Sequence, residues 1–118
     1  MNQADNRENP HRSTRIDIQI VGPDRSNQFR TIIPNGVELP HEFNGEFSFA
    51  FDGMHVVRIL LRSESGLLPP VLLRDLPKGR RGTALDLTLV YERDHSLRVH
   101  LVHLPTGREV KHTFSLPS

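Results

Sequence analysis

The sequence predicts an all-β fold: a two-sheet antiparallel β-sandwich of about eight short strands, preceded by a disordered polar tail. Three observations predict it. Apolar residues recur at every second position in most segments. Turn-forming residues interrupt those segments at short intervals. No window of about a dozen residues carries the i, i+3, i+4, i+7 spacing of an amphipathic helix. The 118 residues suffice for one domain with one hydrophobic core.

Residues 1–14 are polar, charged and aperiodic, and offer no apolar surface to offset the entropy of ordering them. They are expected to be a disordered tail, with the folded domain spanning residues 15–118. Ile16, Ile18 and Ile20 alternate with Asp17 and Gln19 and form the first strand, broken at Gly22-Pro23-Asp24. Phe29 to Ile33 is a short apolar run closed by Pro34-Asn35-Gly36. Phe47, Phe49 and Phe51 alternate with Glu46, Ser48 and Ala50, and Asp52-Gly53 follows as a two-residue hairpin turn. His55 to Leu61 returns as one strand, with Val57, Ile59 and Leu61 on one face. Val71 to Leu73 is a brief strand. Leu85, Leu87, Leu89 and Tyr91 give the cleanest alternation, Arg93-Asp94-His95 turns the chain, and Leu97, Val99 and Leu101 come back. After Pro105-Thr106-Gly107, Val110, His112, Phe114 and Leu116 close the domain.

Composition removes several kinds of chemistry. There is no Cys, hence no disulfide, thiolate zinc site or cysteine nucleophile. Fifteen basic residues nearly balance 14 acidic ones, for a net charge of +1, so no long-range field draws nucleic acid or anionic lipid. The N-terminus lacks the apolar run of a signal peptide, and Val56 to Leu61, interrupted by Arg58, is far too short to span a membrane. A soluble cytoplasmic protein with no membrane or nucleic-acid partner is expected.

No catalytic or metal-binding constellation emerges. Of the seven His, His100 and His103 stand three apart, which on a strand places them on opposite faces. The carboxylates are dispersed, and no Gly-x-Ser-x-Gly or His-Glu-x-x-His is present. Lys78-Gly79-Arg80-Arg81-Gly82-Thr83 lacks the order of a phosphate-binding loop and reads as a solvated basic turn. The expectation is a protein that is not an enzyme and carries no cofactor or metal.

The order of the segments resembles one known family. Phe47-Ser48-Phe49-Ala50-Phe51-Asp52 followed by Val56-Val57-Arg58-Ile59-Leu60-Leu61 is similar to the third and fourth strands of the substrate-binding β-sandwich of heat-shock-seventy chaperones, the DnaK type. Ile16 to Gly22 resembles that domain's first strand and following loop, and Leu39-Pro40 sits where the family has Ile-Pro or Leu-Pro. Leu73 to Pro77, Arg81-Gly82, and Thr106-Gly107-Arg108-Glu109 resemble its later loops and final turn. The resemblance covers residues 15–118. It departs in a longer polar loop from Gly22 to Phe29, a shortened connection from Glu64 to Pro70, and Asp94-His95 in place of Asp-Gly. The nucleotide-binding domain, linker and helical lid of the family have no counterpart in these residues.

The resemblance implies two four-stranded antiparallel sheets and a groove that takes an extended peptide by its backbone and one apolar anchor. By position, Ile18, Ile20, Phe47, Val57 and Ile59 would wall the pocket, with Val57 at its mouth, and Val21 and Ala50 would arch over the peptide. The implied function is lid-less binding of extended hydrophobic peptides or unfolded proteins, alone or beside a separate chaperone subunit, without ATPase activity. Its alternative is a structural or protein-interaction sandwich that has lost the groove. The open sheet edges also admit homodimerisation by edge pairing.

Overall fold

A computed structural model describes residues 11–21, 27–48, 53 and 55–117, the side chains of residues 20, 21 and 27 excepted. The architecture is an antiparallel β-sandwich without a helix among the described residues, as the alternation predicts. Ten strands occur among the described residues: β1 (Ile16–Val21), β2 (Asn27–Ile33), β3 (His41–Ser48), β4 (Val57–Ile59), β5 (Leu61–Ser63), β6 (Gly66–Leu67), β7 (Val71–Leu73), β8 (Ala84–Tyr91), β9 (Ser96–His103) and β10 (Arg108–Ser115). One sheet has the order β2-β1-β5-β6, the other β10-β9-β8-β3, and β4 and β7 form a two-stranded ribbon.

The second sheet supplies most of the core. Leu85, Leu87, Leu89 and Tyr91 on β8 face inward beside Leu97, Val99 and Leu101 on β9, all buried, while Asp86, Thr88, Val90, Arg98, His100 and Val102 take the other face. The β8–β9 register pairs Leu87 with Leu101 and Leu89 with Val99, so the apolar sets meet side by side. From the first sheet Ile16, Ile18, Ile33 and Leu61 close onto them. The ribbon adds Val57 and Ile59 opposite Leu73 and Val71.

Two departures from simple alternation have local causes. Ile16 pairs with Ile33 but Asp17 pairs with Thr31, so Ile32 is an extra residue on β2. This bulge lets both Ile32 and Ile33 bury and returns Thr31 to the face of Asp17. The expected strand from His55 to Leu61 is divided at Leu60. Val57, Ile59 and Leu61 all point inward, but β4 pairs with β7 while β5 pairs with β1. The chain changes sheets there without changing the side-chain period. The β5–β6 hairpin, absent from the sequence reading, turns through Glu64-Ser65, where the Ser63 hydroxyl accepts the Ser65 amide at 3.1 Å.

The connection between β8 and β9 is a three-residue loop. Glu92 and Ser96 close it, the His95 amide donates to Glu92 at 2.9 Å, and His95 adopts φ 65°. A left-handed third position is what this loop geometry demands, usually met by Gly. Here His95 fills it and packs edge-on against Tyr91, with ring centroids 5.8 Å apart. Asp94 caps the loop by accepting the Ser96 amide and hydroxyl at 3.0 and 2.7 Å. His103 lies inside and bonds Thr106 at 2.7 Å, whereas His100 lies outside against Glu109, on the opposite faces that their odd spacing dictates.

The folded part begins before residue 15. Ser13 is buried, and its backbone exchanges hydrogen bonds with Val37 and Gly36, each 2.8 Å. Its hydroxyl donates to the Pro34 carbonyl at 2.6 Å and accepts the Val37 amide at 3.0 Å. Thr14 reaches the Tyr91 hydroxyl through its amide at 3.2 Å and through its own hydroxyl at 3.1 Å. Polarity marked these residues as tail; their polar groups are instead consumed by the 34–37 turn and Tyr91. Replacing Ser13 by Ala should leave the Val37 amide and Pro34 carbonyl, which meet the Ser13 hydroxyl in part-buried bonds, without that partner. The expected loss is about 1–3 kcal/mol in urea unfolding, with an unchanged slope.

Asp17 pins the first sheet from its outer face. Thr31 on β2 donates to one carboxylate oxygen at 2.8 Å, and Arg62 on β5 donates to the other from Nε and Nη2 at 3.1 and 2.9 Å. Arg15 adds a contact of 3.3 Å, and the Arg62 guanidinium lies 4.0 Å from the centre of the Phe29 ring. Burial pushes the Asp17 carboxyl up, but bonds from Thr31 and Arg62 and the charges of Arg15 and Arg62 outweigh it and hold the group below the usual carboxylate range. A depressed carboxylate stabilises the fold above its unfolded pKa, about 3.9, and loses that contribution as pH falls through the folded value. Asp17→Asn should therefore cost about 1–3 kcal/mol at pH 7. The gap from the parent should narrow only below about pH 4 in parallel urea titrations.

Candidate functional site

The residues expected to line a peptide groove fall into three groups. Ile18 in β1, Val57 and Ile59 in the ribbon are buried at 1%, 4% and 7% exposure and belong to one core cluster. Phe47, at the end of β3, is half-buried and packs against that cluster from its rim. Ile20 and Val21 end β1, paired in register with Gln28 and Asn27, but their side chains, like the whole of Ala50, lie outside the described residues. The Asp52-Gly53 turn is described only at Gly53, which has φ 82° and donates its amide to Gly79 at 2.7 Å.

The placement of Val57 corrects one expectation. It does not stand at an open mouth. β4 turns Val57 inward with Ile59, and Leu73 and Val71 across the ribbon cover them. A strand of three residues with the pattern buried-exposed-buried leaves Arg58, not Val57, toward solvent. Ile18, Val57 and Ile59 thus serve the interior of the sandwich.

The feature that sequence reasoning missed lies along β3. The expected strand started at Glu46; the observed one starts at His41 and runs eight residues. It pairs along its whole length with β8 and stands at the edge of its sheet. In an antiparallel edge strand, every second residue directs its N–H and C=O away from the sheet. His41, Phe43, Gly45 and Phe47 face the interior and are half-buried, whereas Glu42, Asn44, Glu46 and Ser48 are exposed.

Gly45 is central to this strand. A Cβ there would lie 2.8 Å from Phe43 Cζ and 3.3 Å from Phe47 Cε2. The two phenyl rings therefore close over the glycine backbone and use the space a side chain would take. Aromatic cover of an edge glycine protects an otherwise weak strand position. It also leaves two aromatic rings half-exposed at the rim of the core. The signal was present as His41, Phe43, Gly45 and Phe47 at period two, but a glycine and a histidine in that series mask its apolar character.

The outer face of the same sheet is graded in charge. Its β3 side carries Glu42, Glu46 and Asp86, with Glu46 directly opposite Asp86 in the register. The Asn44 amide bridges to Asp86 at 3.2 Å and to the Thr88 hydroxyl at 2.8 Å. Its β9–β10 side carries Arg98, His100 and Lys111 around a shallow groove of about 410 Å³. Arg98 is bonded to Glu92 at 3.1 Å, and His100 to Glu109, whose carboxyl the His100 hydrogen bond holds below its usual range. Among the described residues, no three His, Asp or Glu gather as ligands for a metal ion.

Searches with protein-family models and among curated proteins find no match to this sequence.

Proposed function

We propose that the chain is a non-catalytic module that binds extended polypeptide segments, as the resemblance to the DnaK-type substrate-binding sandwich implies. The observation that carries the reading is β3: a long edge strand whose inward side ends in half-exposed Phe43 and Phe47. Such an edge offers main-chain hydrogen bonds and an apolar strip together, the two components of extended-peptide recognition. The two four-stranded antiparallel sheets agree with the same reading. Partners would be apolar-rich extended peptides or unfolded chains, held without nucleotide.

Energetics set the expected strength. One buried Leu contributes roughly 1.5–3 kcal/mol and each hydrogen bond about 0.5–1.5 kcal/mol. Association and ordering consume several kcal/mol of that, leaving affinities on the order of micromolar or weaker.

A second reading, a structural or interaction sandwich without a peptide groove, is favoured by the burial of Ile18, Val57 and Ile59. Titration of a fluorescently labelled, Leu-rich extended peptide separates the two. Saturable micromolar binding supports the first, and no binding into the millimolar range leaves the second. Val57→Phe, measured alongside, should lose about 1–3 kcal/mol of stability through overpacking of a closed core.

A further inference from the structure

We infer that the free edge of β3 is itself the docking site, and that it takes an extended segment alternating apolar with basic residues. This inference rests on the peptide-binding reading above and specifies where the peptide lies and what it must contain. Three features converge on this edge. The first is the backbone: residues 41–48 pair with β8 alone among the described strands, so one full row of donors and acceptors faces outward. The second is the inward strip of Phe43 and Phe47, separated by Gly45 and half-exposed at the rim of the core among the described residues.

The third is charge. Glu42 and Glu46 project from the opposite face four residues apart, with Asn44 between them, and among the described residues neither meets a cation. Asp86 stands across from Glu46, so two carboxylates oppose each other where like charges destabilise a sheet. An added strand would set its own side chains in the next column of this face. Lys or Arg there would pair with Glu42 and Glu46 and relieve the Glu46–Asp86 repulsion. Its alternate residues would fall on the inner side, beside Phe43 and Phe47, where apolar side chains complete the rim of the core.

The same carboxylates select against a second copy of the chain. Antiparallel pairing of two β3 strands about Asn44 would set Glu42 of each against Glu46 of the other. Cross-strand like charges penalise that register, a cost that a basic strand does not meet.

The test uses three eight-residue peptides of alternating sequence, Leu/Lys, Leu/Ser and Leu/Glu, titrated by fluorescence anisotropy against the parent chain and the double variant Glu42→Lys, Glu46→Lys. The parent should bind the Leu/Lys peptide about tenfold tighter than the Leu/Glu peptide, with a preference that weakens as salt rises. The variant should invert the order while keeping the parent's melting midpoint. Equal affinity for all three peptides, or an unchanged order in the variant, would overturn the edge assignment while leaving peptide binding intact. Failure of every peptide to bind would remove the peptide-binding reading itself. Sedimentation of the peptide-free parent should give a monomer; a dimer abolished by the double variant would make a second copy the occupant and overturn the inference.

Discussion

The inward row of the β8–β9 hairpin holds the molecule together. Leu87, Leu89 and Tyr91 lie beside Leu101, Val99 and Leu97, all essentially out of water. A buried side chain of this kind contributes roughly 1.5–3 kcal/mol, and no other pair of the described strands presents so many in unbroken register. Every other element is positioned by that surface. β10 extends it on one side and β3 on the other. The first sheet covers it with Ile16, Ile18, Ile33 and Leu61, and the ribbon seals what remains. Even the residues leading into β1 are recruited, because Tyr91 ends the row with a hydroxyl that Thr14 satisfies. Polar bonding then fixes what apolar burial leaves free. Asp17 sets the register of three strands, and Ser13 fixes the turn after β2.

This division of labour explains the character of β3. Its inner side touches the core only at the rim, so Phe43 and Phe47 are half-covered, and Gly45 between them survives because the rings shield it. An edge strand so placed has its geometry imposed by β8 rather than by its own packing. Among the described residues it pairs with β8 alone, and Phe43 and Phe47 remain half-exposed. On the proposed reading, the carboxylates on its outer side favour a basic strand at that edge over a second copy of β3.

The sequence was most legible where burial obeys a strict period. β8 and β9 follow their alternation closely, β7 matches residue for residue, and the burial of Leu87 follows from its central place in the cleanest run, whereas β10 keeps its period only in part, with Phe114 buried, Val110 half-buried and His112 exposed. Legibility failed where tertiary context overrides the local pattern. Nothing in Val57-Arg58-Ile59-Leu60-Leu61 announces that the chain leaves one sheet for another at Leu60, because the period continues through the break. Ser13 and Thr14 look like tail until the 34–37 turn and Tyr91 stand beside them. The start of β3 was hidden by Gly45, whose compensation comes from Phe43 and Phe47. Of the seven candidate site residues, Ile18, Val57 and Ile59 read equally as core from their alternation, and core is where they lie. Among the described candidates, Phe47 alone lies half-buried at the rim of that core.

The central claim is that an extended segment adds to the free edge of β3, and amide hydrogen exchange resolved by residue tests it most directly. With a saturating Leu/Lys alternating peptide, alternate amides between residues 41 and 48, those directed away from β8, should slow markedly, while those already bonded to β8 should change little. Protection confined to β1, β4 and β5, with the amides of β3 unaffected, would contradict the account.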